Sequence, residues 1–104
     1  MKKTRVDTKW YSNGNKKSEY NYKVGFSIPF TPFFKITFNV KEEGIETHWY
    51  ENGQKEWEGT WKDGEEDGIE THWYENGQKE EETTYKFGKE ISSKEWNEDG
   101  SVKE

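Results

Sequence analysis

The chain contains no cysteine. Disulfide staples and thiolate chemistry are therefore excluded, which fits a reducing compartment. Leucine is absent, isoleucine and valine are few, and only 27% of the 104 residues are hydrophobic. A thick two-layer core is excluded on that count. No apolar run follows the basic N-terminal stretch MKKTRVDTKWYSNG. Neither a signal peptide nor a transmembrane helix is visible, so a cytoplasmic location is expected. Phosphate-binding loops of the Gly-x-x-x-x-Gly-Lys type are missing, as is any Ser/His/Asp arrangement for nucleophilic catalysis.

What is present is aromatic and charged. Charged residues make up 37% of the chain, a proportion that leans toward disorder. Six Trp, six Tyr and six Phe argue for order, because each covers a large apolar area. They recur at fixed positions. Gly44 to Glu56 reads GIETHWYENGQKE, and Gly68 to Glu80 repeats it without change at an offset of 24 residues. Trp96 opens a weaker copy and Trp10 another, KWYSNGNKK. Each copy continues to an aromatic, a Lys, one residue and a Gly, as in Trp61-Lys62-Asp63-Gly64 and Tyr85-Lys86-Phe87-Gly88. The 104 residues thus form one domain, with repeats at about 9–25, 41–64 and 65–88, a half repeat at 89–104, and an insertion at 26–40. A fixed period marks an architecture of stacked units with an extended face.

Asn-Gly between strand-forming segments is a strong hairpin signal. It occurs at Asn13-Gly14, Asn52-Gly53 and Asn76-Gly77, with Asp99-Gly100 in the last copy. A two-residue type I′ loop at Asn52-Gly53 would set Glu51 opposite Gln54, Tyr50 opposite Lys55 and His48 opposite Trp57. The glycines should then take positive φ. Asp63-Gly64 and Asp67-Gly68 would connect successive hairpins. The expected fold is all-β: an antiparallel meander of β-hairpin repeats in a single elongated twisted sheet. In the insertion, Phe33 to Val40 alternates as a half-buried strand would, with Phe34, Ile36, Phe38 and Val40 on one side. That segment either adds a strand or lid at an open end of the sheet, or docks a partner or membrane surface.

Charge is uneven. Residues 1–24 hold seven Lys/Arg and two acids, whereas residues 42–82 hold three Lys and fifteen acids. An acidic block repels phosphate, so nucleic acid is not the expected partner. It attracts a basic protein. His48 and His72 stand at equivalent repeat positions, about 10 Å apart at ~4.8 Å per strand, too far for one metal to bind both. The loop Asp63-Gly64-Glu65-Glu66-Asp67-Gly68 lacks the spacing of a calcium-binding EF-hand. No catalytic residues, metal or cofactor are expected, and the chain reads as non-enzymatic. The expected binding residues are the aromatics Trp49, Trp57, Trp61 and Trp73, with the carboxylates Glu56, Glu58, Glu65, Glu66 and Glu80.

The residues Tyr50-x-Asn52-Gly53, Trp57-x-Gly59-x-Trp61, Asp63-Gly64 and Asp67-Gly68 resemble the MORN repeat. The variant WYENGQK at this period is similar to bacterial MORN-variant proteins of the YwqK antitoxin-like type. The resemblance covers about residues 9–25 and 41–104. The third copy departs from it at Glu81 and Thr83, the first at Tyr20. It implies a meander of hairpins that binds, oligomerises or scaffolds rather than catalyses. The antitoxin-like members imply a protein partner, a basic toxin, while other MORN proteins imply membrane association. Homo-oligomers are expected from the open sheet edges.

Overall fold

The computed structural model describes residues 2–27 and 37–104. These form one antiparallel sheet of eight strands. The strands are β1 (Lys2–Trp10), β2 (Lys16–Ser27), β3 (Thr37–Trp49), β4 (Lys55–Lys62), β5 (Glu65–Glu66), β6 (Gly68–Trp73), β7 (Lys79–Lys86) and β8 (Lys89–Glu95). Their spatial order follows the chain, β1-β2-β3-β4-β6-β7-β8, with the short β5 also on β4. The expected all-β meander is what is found. The molecule measures 64 × 37 × 15 Å, and the short dimension is that of a single sheet with its side chains.

Both sheet faces are therefore open, and among the described residues no hydrophobic side chain is buried. The buried residues among them are instead small and polar: Ser18, Thr47, Thr71 and Thr83. Cohesion comes from the strand ladder and from cross-strand pairs on each face. It also comes from two ladders of side chains along the Asn-Gly edge. Tyr11, Tyr50 and Tyr74 donate their hydroxyls to the backbone carbonyls of Trp49, Trp73 and Trp96, at 2.7, 2.7 and 2.8 Å. Asn13, Asn52 and Asn76 donate Nδ2–H to the carbonyls of Glu51, Glu75 and Glu98. The same Asn52 and Asn76 side chains accept, through Oδ1, the N–H two residues on. Each motif asparagine thus closes its own turn and ties it to the next repeat.

The turns differ from expectation in one respect. Gly53 and Gly77 do adopt positive φ, at 92° and 89°. But Tyr50 N–H bonds Gln54 O, and Gly53 N–H bonds Tyr50 O. The loop is Glu51-Asn52-Gly53, a type I turn closed by a glycine bulge, not a two-residue type I′ loop. His48 does face Trp57, but Trp49 pairs with Lys55 across a register shift. Glu51 therefore does not face Gln54, nor Tyr50 Lys55. The two-residue type I′ turns lie at the opposite edge. Asp63 and Gly64 have φ of 51° and 84° between the paired Lys62 and Glu65. Asp67-Gly68 makes no turn: Gly68, with φ of 114°, forms a bulge between β5 and β6.

Phe87 takes the Asp63 position in the last such turn, with φ of 50° and 69% of its surface exposed. Left-handed backbone is costly for a bulky residue and cheap for Asn. Phe87→Asn is expected to stabilise the protein by roughly 0.5–1 kcal/mol. Urea unfolding of parent and variant measures this, and an unchanged or lower midpoint would contradict it.

Among the described residues the insertion lengthens β2 and β3: Phe26 pairs with Phe38 and Ser27 with Thr37. The remainder of the expected strand, Phe33 to Ile36, lies outside the described residues, as do residues 28–36 of the insertion at 26–40 that was expected to act as a lid or to dock a partner or membrane surface. Among the described residues no helix is long and apolar enough to cross a membrane.

Candidate functional site

Register and alternation divide the side chains into two faces. One face carries Glu42, Glu46 and His48 from β3, and Trp57, Gly59 and Trp61 from β4. Glu66, Glu70 and His72 follow from β5 and β6, then Glu81, Thr83 and Tyr85 from β7, with Glu95 and Glu90 from β8. Tyr20 and Tyr22 of β2 extend it. From β3 to β8 no described lysine or arginine projects from this face. The lysines project from the other, beside the second set of tryptophans. There Lys16 stands over Trp10 and Trp49, Lys55 over Trp73, and Lys79 over Trp96, at 5.6–5.9 Å from the ring centres. Each of these lysines also pairs with a glutamate three residues on: Glu19, Glu58 or Glu82. One face is thus charge-balanced within the chain, and the other is acidic and aromatic.

The nine expected binding residues do not share a face. Trp57, Trp61 and Glu66 lie on the acidic aromatic one. Glu56, in the bulge after Lys55, lines a groove there with Glu46, His48, Trp57 and His72. Glu80 holds the equivalent bulge in β7, and its charge acts on Tyr50 together with that of Glu56. Trp49 and Trp73 lie on the opposite face under Lys16 and Lys55, with Glu58 bonded to Lys55. Glu65 follows them by its pairing with Lys62. The residues that sequence reasoning missed are Glu42, Glu46 and Glu70. For Glu46 and Glu70 the signal was the pair Glu-x-His, Glu46/His48 and Glu70/His72, present in both exact copies; Glu42 has no such pair.

The groove of about 260 Å³ is shallow and centred on Trp57. His48 meets the Trp57 ring edge-on at 5.3 Å and His72 does so at 6.2 Å, with interplanar angles of 72° and 71°. Glu46 Oε2 lies 2.6 Å from His48 Nε2, and Glu70 Oε1 lies 2.9 Å from His72 Nε2. Glu70 also accepts the indole N–H of Trp57. The indole N–H of Trp61 is enclosed with no hydrogen-bond partner among the described residues. Among those residues no cluster of three or more His, Cys, Asp or Glu is placed to hold a metal ion.

The bulge at Gly68 keeps Glu66 and Glu70 on one face within reach of each other. Burial, then the hydrogen bond with Glu70 and its charge, push the Glu66 carboxyl up to about 7. Burial acts upward on Glu70 too, but the donors on Trp57, His72 and Glu66 hold it below the usual carboxylate range. Of the two, Glu66 is the one that takes up a proton first as pH falls. A carboxyl with a raised folded pKa favours the native state only while protonated. Its penalty grows as pH rises from the ordinary value near 4.5 through about 7. Stability is expected to fall over that window, and Glu66→Gln should remove that part of the fall. Chemical unfolding at several pH values tests it. An identical slope in the variant would speak against a raised Glu66.

These features define a class: a single-layer sheet of hairpin repeats that presents one unneutralised face. The family model for the MORN repeat variant matches residues 8–23, 42–63 and 66–87, more than half of the chain. The chain belongs to the MORN repeat variant family. MORN repeats are in general associated with protein or membrane binding. No curated protein matches the chain, and no solved structure does.

Proposed function

We propose that this protein is a non-catalytic binding module that captures a basic protein partner on its acidic aromatic face. A toxin neutralised in the manner of an antitoxin or immunity protein is the partner class this reading favours. The observation that carries it is the segregation of charge. From β3 to β8 the carboxylates of one face have no described lysine or arginine beside them, whereas the other face pairs its own. Fields of one sign over an open face raise the capture rate of an opposite charge. Half-buried aromatics supply contact area at low entropic cost.

Poly-lysine is the direct probe. Neutralising Glu42, Glu46, Glu66 and Glu70 to Gln is expected to weaken its binding by roughly tenfold or more at low salt. Neutralising Glu58 and Glu82 on the opposite face should leave binding near the parent level. Equal losses from the two variants, or binding unchanged by salt, would sink the reading. The acidic face would then be only a solubilising surface.

A second reading has its own observation. Among the described residues β1 and β8 each pair with one strand only, and apart from the bond from Lys103 N–H to Glu95 O at the end of β8 both outer edges offer backbone groups for pairing. Through them the protein would act as a self-associating scaffold, forming homo-oligomers edge to edge. Sedimentation at high concentration distinguishes the two, since a species of only 12.5 kDa rules out the scaffold.

A further inference from the structure

Trp57 differs from the tryptophans of the other face. A Cβ added to Gly59 would come within 2.9 Å of two ring carbons of Trp57, so the indole lies flat across the bare backbone of Gly59. One ring face is against the sheet and the other points outward. The two histidines flank the ring, and Glu70 holds its N–H. The ring is therefore pinned in plane. Neither neighbouring repeat has this arrangement. The third has Glu81 and Thr83 at the positions of Trp57 and Gly59, and the first has Ser18 and Tyr20. The platform is a single site at the middle of the sheet.

On the opposite face this chain covers Trp10, Trp49, Trp73 and Trp96 with its own ammonium groups, at 5.3–5.9 Å. No described lysine or arginine stands over Trp57, because the lysines of the flanking strands project the other way. The groove that it lines is walled instead by Glu46, Glu56 and the two histidines. We propose that Trp57 is a stacking platform for a guanidinium group, so that the basic partner engages this face through an arginine. A guanidinium is planar and can stack flat on an indole while its N–H fork reaches a carboxylate in two places; an ammonium is a strongly hydrated point charge that, like Lys55 between Trp73 and Glu58 on the opposite face, stands off the ring without stacking on it. The proposal rests on the reading that the partner is basic.

Hexa-arginine and hexa-lysine peptides test it by calorimetry at low salt. Hexa-arginine should bind the parent about fivefold more tightly than hexa-lysine. Trp57→Leu keeps apolar bulk without a π face and should bring the two to equal affinity. Trp57→Phe should restore part of the difference. In the parent protein, proton NMR should show upfield ring-current shifts on the arginine δ-methylene protons. Equal affinities in the parent, a preference that survives Trp57→Leu, or unshifted arginine protons would each overturn the platform. If both peptides bind equally and lose affinity on neutralising Glu42 and Glu46, the acidic capture face stands while the platform falls. If neither binds, both readings fail.

Discussion

Gly59→Thr is expected to destabilise the protein by roughly 1–3 kcal/mol, the usual cost of forcing atoms into a filled site. Gly59 has no left-handed φ, so its backbone would accept any residue. What excludes a side chain is the Trp57 ring, 2.9 Å from where a Cβ would stand. That ring cannot swing away freely, because it is flanked by His48 and His72 and bonded to Glu70. The third repeat already contains the compensating pair, Glu81 with Thr83, where Thr83 donates its hydroxyl to Glu81 at 2.9 Å. The double variant Trp57→Glu with Gly59→Thr should therefore lose less stability than the two single effects added together. Thermal unfolding of the three variants measures the coupling. A Gly59→Thr protein that melts with the parent, or strict additivity, would mean that the ring and the glycine are independent.

Gly53→Val should cost about 1–2 kcal/mol for a different reason. Here the surroundings are open: the nearest atom to an added Cβ is Asn15 Nδ2 at 3.8 Å. The penalty is conformational, since φ of 92° is strained for a β-branched residue. Gly53→Asn should cost clearly less, because Asn tolerates positive φ. Denaturant midpoints for the two variants give the order. Equal midpoints would mean that the bulge at this turn is not held in the parent geometry.

Much of this fold is legible in the sequence. The Asn-Gly dipeptides, the 24-residue offset and the strand-forming residues around Trp49 and Trp57 led to the hairpins and to the pairing of His48 with Trp57. The turn type was misplaced. Both Asn52-Gly53 and Asp63-Gly64 satisfy type I′ chemistry, and local propensity does not choose between them. The choice falls to Tyr50, whose hydroxyl reaches the Trp73 carbonyl only across repeats. The candidate site was half legible. The sequence points to aromatics and acids as the material of the face, but Trp49, Trp73, Glu58 and Glu65 project from the other one.

The sequence by itself determined the repeat, the strand-turn alternation and the acidic character of residues 42–82, because each is a matter of local chemistry read along the chain. Only the tertiary structure decided which side chains share a face. Strand alternation has a period of two, and a single bulge shifts its phase. The bulges at Lys55-Glu56 and at Gly68 do so, turning Lys55 toward Glu58 and Trp73 and keeping Glu66 beside Glu70. Pairing partners across strands fix where those extra residues fall, and those partners are distant in the chain. For the same reason the lone Gly59 read as a repeat letter, when its role is to leave room for an indole two residues away.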